Sequence, residues 1–246
     1  EMLLEVGGTL SEVLAQALDV RLHRLLDKGA RAVLELRLGS QQQRHRACVE
    51  PRDVARDAEA AAVVDTMALY RQTLPGFVER YGSHLAADEV AIIQRVGEAS
   101  ETPLNAEFPE VFSLVHVDYR LDNLMINASG SGLAITAVDW QSITLGAPMN
   151  DVAYFIGAGL EPQVRKPVEE ALVRGYYRGL IRAGVPNYAW EDCWLGYRRG
   201  AVAGFAVTVI ASMLVQRTDR GDTMFTTMAR RHARHAIDLG AGEFLR

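Results

Sequence analysis

Val115-His116-Val117-Asp118-Tyr119-Arg120-Leu121-Asp122-Asn123-Leu124-Met125-Ile126, VHVDYRLDNLMI, gathers one His, two Asp, one Arg and one Asn between apolar flanks. Five polar groups held together in this way need a chemical reason, and the residues that follow supply one. Leu124-Met-Ile-Asn127, then Ala-Ser-Gly-Ser-Gly132, then Leu-Ala-Ile-Thr-Ala-Val138 are two β-prone runs around a Ser/Gly turn. They read as a hairpin that ends at Asp139-Trp140-Gln141. Antiparallel pairing centred on Ser131 sets Asn123 beside Asp139. With Asp118 on the adjoining loop, an amide oxygen and carboxylates then share one end of a small sheet. Such an oxygen-rich pocket suits Mg²⁺ and usually awaits a phosphate.

The rest of the chain is written for helices. With 246 residues and 49% hydrophobic content it can bury a substantial core. Leu10, Val13, Leu14, Ala17, Leu18, Leu22, Leu25 and Leu26 recur at helical spacing; Thr9 and Glu12 form a capping-box pattern and Gly29 closes the run. Residues 39–46 have no period and read as an exposed connection. Further helical patterns cover about 54–74, 86–98, 165–183, 190–216 and 222–237. Breaks are signalled at Pro75-Gly76, Pro103 and Gly184-Val185-Pro186. The uncharged run 200–216 falls short of the roughly 20 apolar residues a membrane span needs, so it reads as a core helix.

Charge and cysteine usage narrow the classes. Twenty-six basic and 31 acidic residues give a formal charge of −5, which leaves no overall field to gather nucleic acid or anionic lipid. Cys48 and Cys193 lie in no CxxC or Cys/His spacing, and a reducing, cytoplasmic setting fits them. The basic cluster Arg230-Arg231-His232-Ala233-Arg234-His235 reads as a solvated helix face near a C-terminal end rather than a nucleic-acid site. Tyr176, Tyr177, Tyr188, Trp190, Trp194 and Tyr197 fit either a substrate pocket or the helical core, and we read them as core.

The pattern His116-x-Asp118-x-x-x-x-Asn123, the hairpin and Asp139-Trp140-Gln141 resemble the catalytic loop and metal-binding aspartate of the aminoglycoside phosphotransferase family, choline-kinase-like relatives of protein kinases. The nearest likeness is to its ecdysteroid-kinase-like branch. Gly146-Ala-Pro148 and Asn150-Asp151-Val-Ala-Tyr-Phe155 resemble that family's G-x-P-x-x-D-x-A-Y-F segment, and the resemblance runs from about residue 70 to the C-terminus. It implies ATP- and Mg²⁺-dependent phosphorylation of a small-molecule hydroxyl. Asp118 would receive or orient the hydroxyl proton, and Arg120 would steady the transferred group. Asn123 and Asp139 would hold Mg²⁺, while His116 and Asp151 would brace the loop, Asp151 from the following helix. Arg120 is equally a candidate surface partner of Asp122.

The expected fold is therefore a mainly α, kinase-like C-terminal lobe with a small β-hairpin region. Residues 1–69 form a hinge-like start and a helical segment. Residues 70–246 carry the catalytic loop 115–123 and the metal-site hairpin 123–141. Two departures from the family stand out. Val117 occupies the place of a usual glycine. No glycine-rich hairpin with a strand-borne Lys is recognisable either, because Lys28 and Lys166 are the only lysines. Gly7-Gly8 with Lys28 is a decoy interrupted by the amphipathic helix. Glu1–Val6 instead resembles the strand that enters the hinge, so the ATP-gripping lobe is expected to be missing. Partners expected are a nucleotide, a small-molecule alcohol and, as a homodimer, a second copy of the chain. The alternative from another class is a catalytically degenerate, kinase-like binding or scaffold protein.

Overall fold

A computed structural model describes residues 51–99, 113–126, 135–185 and 187–246. Expectations for the first 50 residues, for Pro103, for the Ser131 turn and for Pro186 lie outside these. The described residues are mostly helical, with two small two-stranded antiparallel sheets.

Helix α1, Pro51–Tyr81, runs straight through the expected break at Pro75. Proline removes one backbone donor, a cost of ~3 kcal/mol inside a helix. Burial on both sides of it offsets that: Met67, Tyr70, Phe77 and Tyr81 lie on one face and are at most 2% exposed. Helix α2, Ala87–Glu98, begins where the Glu89 carboxylate accepts the Ala86 N–H at 2.9 Å. It buries Ile92, Ile93 and Val96, and the Tyr70 hydroxyl donates to the Ile93 carbonyl at 2.9 Å.

Four short strands follow: β1, Ser113–Val115; β2, Leu124–Ile126; β3, Ile135–Ala137; and β4, Thr144–Gly146. The hairpin expected from the Ser/Gly turn is the β2–β3 pair. A second pair, β1–β4, encloses it, with Leu114 opposite Leu145.

Helix α3, Pro148–Gly159, opens with Pro at its first position and is buried along most of its length. Helix α4, Pro162–Arg182, ends at Gly184, whose φ of +87° suits glycine. The single helix expected over 190–216 is two, α5, Trp190–Gly200, and α6, Ala203–Leu214. At Gly200 the backbone of α5 meets α3 so closely that a Cβ would lie 2.8 Å from the Met149 carbonyl oxygen, and the chain turns directly afterwards. Helix α7, Asp219–Asp238, is capped by Thr218, whose Oγ accepts the Gly221 N–H at 3.0 Å. Among the described residues no helix is long and apolar enough to cross a membrane.

Among the described residues three apolar clusters result, the smallest of them Tyr154, Ala158 and Met228. One joins α3, α4 and α5 beneath the polar loop, through Tyr119, Phe155, Ile156, Val173 and Tyr197. A second large cluster joins α1, α2, α6 and α7 through Tyr70, Ile93, Phe205, Val209 and Ala229. Tyr176, Tyr188 and Tyr197 are core residues, while Tyr177, Trp190 and Trp194 pack against that core partly buried. The basic cluster differs from its reading as a solvated face. His232 and His235 are fully buried, Arg231 pairs with Glu161, and Arg234 pairs with Asp88 and Glu89. The helical period explains this: positions 232 and 235 lie on the face of α7 that carries Phe225, Met228 and Ala229 inward.

His232 fits because α6 has glycine opposite it. A Cβ on Gly204 would fall 2.2 Å from the His232 ring. Alanine normally stabilises a helix interior by ~1 kcal/mol over glycine, but overpacking a rigid core costs ~1–3 kcal/mol. Here the ring is closed in and cannot retreat. Gly204→Ala is therefore expected to lower stability by about 2 kcal/mol in urea denaturation, opposite in sign to the propensity gain.

Candidate active site

The polar loop leaves β1 and is gripped at once by α3. The Asp151 carboxylate accepts the His116 N–H at 2.6 Å and the Val117 N–H at 2.9 Å, one on each oxygen. Asp151 sits in the first turn of α3, where the helix dipole also favours an anion. This two-point hold explains how Val117 adopts φ +73°, a conformation that a β-branched residue reaches only under constraint. Burial pushes the Asp151 carboxyl up to about 6, and the two backbone N–H bonds oppose that rise.

His116 is fully buried and ties the loop to the hairpin. Its Nε2–H donates to the Val138 carbonyl at 2.8 Å, because a carbonyl only accepts. Its own carbonyl accepts the Ser142 hydroxyl at 2.8 Å, and its ring lies 4.7 Å from that of Trp140. These contacts make it an anchor for the loop.

Asp118 stands at the centre. The Tyr154 hydroxyl donates to Oδ1 at 3.0 Å, and Arg120 Nε forms an ion pair with the same oxygen at 3.3 Å. The Asn123 amide donates to Oδ2 at 3.1 Å and to the Asp118 backbone carbonyl at 2.8 Å. Arg120 also lies 3.7 Å from Asp122, and one of its nitrogens contacts the Met224 sulfur of α7 at 3.2 Å. The pairing foreseen with Asp122 is thus present, and the ion pair with Asp118 is an addition to it.

Asn123 closes the short turn Leu121–Asn123 and is buried. Leu124 pairs with Ala137, so Val138 stands opposite Asn123, and the Val138 N–H donates to the Asn123 carbonyl at 2.9 Å. The pairing is one residue off the centre expected at Ser131, and a one-residue shift exchanges strand faces. Asp139 comes next, exposed and turned by a left-handed backbone at φ 62°, ψ 57°. Its carboxylate makes no hydrogen bond or ion pair with Asp118 or Asn123. Asp118, Arg120 and Asn123 are therefore joined by direct side-chain contacts, His116 and Asp151 through the backbone, and Asp139 stands one residue past the strand partner of Asn123.

The donor set suits a hard cation. Both Asn123 amide hydrogens are used on Asp118 oxygens, so the amide oxygen is the atom of this side chain that could coordinate a cation. Asp139 adds an exposed carboxylate at the hairpin end. Among the described residues no group of three or more His, Cys, Asp or Glu forms a closed metal cage. Two oxygen donors from the protein, completed by water and phosphate, is the usual provision for Mg²⁺.

Tyr154 was not foreseen in this site, although a signal existed: it lies three residues after Asp151 on one helix face, and Asp151 already addressed the loop. Burial first, then the Asp118 charge, hold its phenol well above the ordinary value, so it is a neutral donor. Ser142 and Met224 carry no comparable signal in the sequence.

The model of the ecdysteroid kinase-like family matches residues 42–184, more than half of the 246-residue chain and all six candidate site residues. The match starts upstream of residue 70 and stops before α5, whereas the resemblance was expected to run from 70 to the C-terminus. No curated protein and no solved structure matches the chain.

Proposed function

The chain belongs to the ecdysteroid kinase-like family, a family of kinase-like phosphotransferases, and from that premise we propose that it transfers the γ-phosphoryl group of ATP to a hydroxyl of a small molecule. The observation that carries this reading is the hold on Asp118. Its carboxylate is fixed by Tyr154, Arg120 and Asn123, yet its side chain keeps 25% exposure to solvent. A base that is fixed and still reachable suits proton acceptance from an incoming alcohol.

In the proposed reaction the acceptor oxygen attacks the γ-phosphorus while Asp118 takes its proton. The bond from that phosphorus to the bridging oxygen breaks, and ADP leaves with the electron pair. Phosphoryl transfer asks mainly for alignment and charge neutralisation. Arg120, held beside Asp118, supplies a cation at the reacting centre. Asn123 and Asp139 would hold Mg²⁺, which neutralises charge on the nucleotide phosphates when bound. We read residues 70–246 as the C-terminal lobe, so the cover over the nucleotide comes from outside that span.

The test separates metal binding from chemistry. In the full-length protein Asp139→Asn is expected to weaken Mg²⁺–ATP binding by about tenfold or more, since it removes one of two protein donors. Calorimetry with and without Mg²⁺ measures this. Unchanged affinity in that variant, with unchanged turnover, overturns the metal assignment.

A further inference from the structure

The family match and the polar loop account for Asp118 but leave Tyr154 without a part. Tyr154 is 1% exposed, and its hydroxyl spends its hydrogen on Asp118 Oδ1 at 3.0 Å. It projects from α3, the helix that also grips the loop backbone through Asp151. One rigid element thus references both the backbone before Asp118 and one oxygen of its side chain.

The ring is itself immobilised. It packs on the His232 ring at a centroid distance of 5.0 Å, and His232 in turn contacts Phe205 at 6.4 Å. His232 is fully buried, sits over Gly204, and lies where a Cβ on Gly157 would come within 3.1 Å of it. Burial holds this imidazole down at about 3, so it is neutral and adds no charge beside the phenol. The chain from α6 through α7 to α3 therefore leaves the Tyr154 hydroxyl one place to be.

Asp118 needs such a guide. Asn123 reaches only its other oxygen, and the Arg120 ion pair is partly exposed and lacks hydrogen-bond geometry. Of the contacts to Oδ1, the Tyr154 hydroxyl is therefore the one that supplies a directed hydrogen bond. We propose that Tyr154 is the positioning residue for Asp118, its buried hydroxyl fixing Oδ1 so that the carboxylate meets the acceptor hydroxyl in one orientation. Positioning of reacting groups governs the barrier more than affinity, because the substrate binds whether or not the base is aligned.

The assignment rests on the phosphotransfer reading for its kinetic arm, but it has a structural arm of its own. Tyr154→Phe in the full-length protein keeps the ring and its packing on His232. Expected are a kcat lowered by about 10- to 100-fold, KM values for Mg²⁺–ATP and acceptor changed by less than about twofold, and a melting temperature within a few degrees of wild type. A crystal structure of the variant should show Asp118 in more than one rotamer, with the Asp151 bonds to His116 and Val117 retained. A single, unmoved Asp118 rotamer overturns the assignment, as does unchanged kcat in an active enzyme. If the wild-type protein turns over no alcohol in a panel with saturating Mg²⁺–ATP, the phosphotransfer reading fails, and the rotamer comparison still decides whether Tyr154 positions Asp118.

Discussion

Asp118→Asn is expected to lower kcat by about 1,000-fold while leaving Mg²⁺–ATP affinity within about twofold. The substitution removes the group that accepts the proton and turns one side-chain atom from acceptor to donor. If the new amide oxygen stays with Tyr154, its NH₂ faces the Asn123 NH₂, and two donors oppose each other. Asn123 is nevertheless retained, because it also donates to the backbone carbonyl of residue 118 at 2.8 Å. That second bond is why the metal-side donor should survive the loss of the base. Steady-state kinetics with calorimetry on the same preparation measures both quantities. A comparable loss in nucleotide affinity, with turnover at saturation intact, contradicts the role given to Asp118.

The second large effect concerns Asp151, and it depends on pH. Its carboxyl is pushed up to about 6 in the fold, from 3.8 in a free chain, chiefly by burial. Between those values the folded state holds a proton that the unfolded state has released. The stability this residue contributes is therefore greatest below about pH 4 and falls as pH rises, reaching its low plateau above about pH 6. A shift of this size is worth about 3 kcal/mol at order of magnitude. Asp151→Asn does not titrate, so the stability difference, wild type minus variant, should favour wild type by about 2 kcal/mol more at pH 4 than at pH 7. Urea denaturation of both proteins at the two pH values gives that difference directly. Growth of the difference with rising pH means that the two N–H bonds outweigh burial. Turnover should suffer at every pH. An asparagine accepts only one of the two backbone N–H groups, and a loop that must hold Val117 at φ +73° then loses half of its grip. A loss of about 100-fold in kcat is expected.

Much of the site could be read from the chain because its contacts are local or follow a fixed spacing. Asp118 and Asn123 lie five residues apart, and the pairing of β2 with β3 brings the two ends of the hairpin together. Helix existence was equally legible, since the apolar period at 86–98 and 165–183 corresponds to one face of α2 and of α4. What escaped was decided by tertiary contact. Pro75 did not end α1, because Tyr70, Phe77 and Tyr81 are buried on either side of it. Residues 190–216 split where Gly200 meets α3, a constraint absent from any local pattern. The β1–β4 pair joins segments separated by the whole polar loop and hairpin, so no local pattern announces it. His232 and His235 looked like charges on a solvated face; whether imidazole faces inward depends on Gly157 and Gly204, which belong to other helices. The hairpin register slipped by one for a similar reason: Ser131 was the arithmetical centre, whereas the Val138 bond to Asn123 sets the pairing.

The hydrogen bonds around Asp118 also dictate when this site comes into being as the chain folds. Its ties span 34 and 35 residues to Asp151, 36 from Asp118 to Tyr154, and 104 from Arg120 to Met224. Each such closure must be bought with chain entropy before any contact returns energy, whereas α1, α2 and α4 close their own turns locally. Helices can therefore form and collapse on one another while Asp118 is still untethered, and a compact but incompletely docked chain holds no base in place. Docking of α3 is the gating event, since that one helix brings Asp151 to the loop backbone and Tyr154 to the carboxylate together. Nascent or heat-loosened protein should pass through a state that is helical and inert, and hydrogen exchange at His116 and Val117 should report the arrival of α3 rather than the formation of helix.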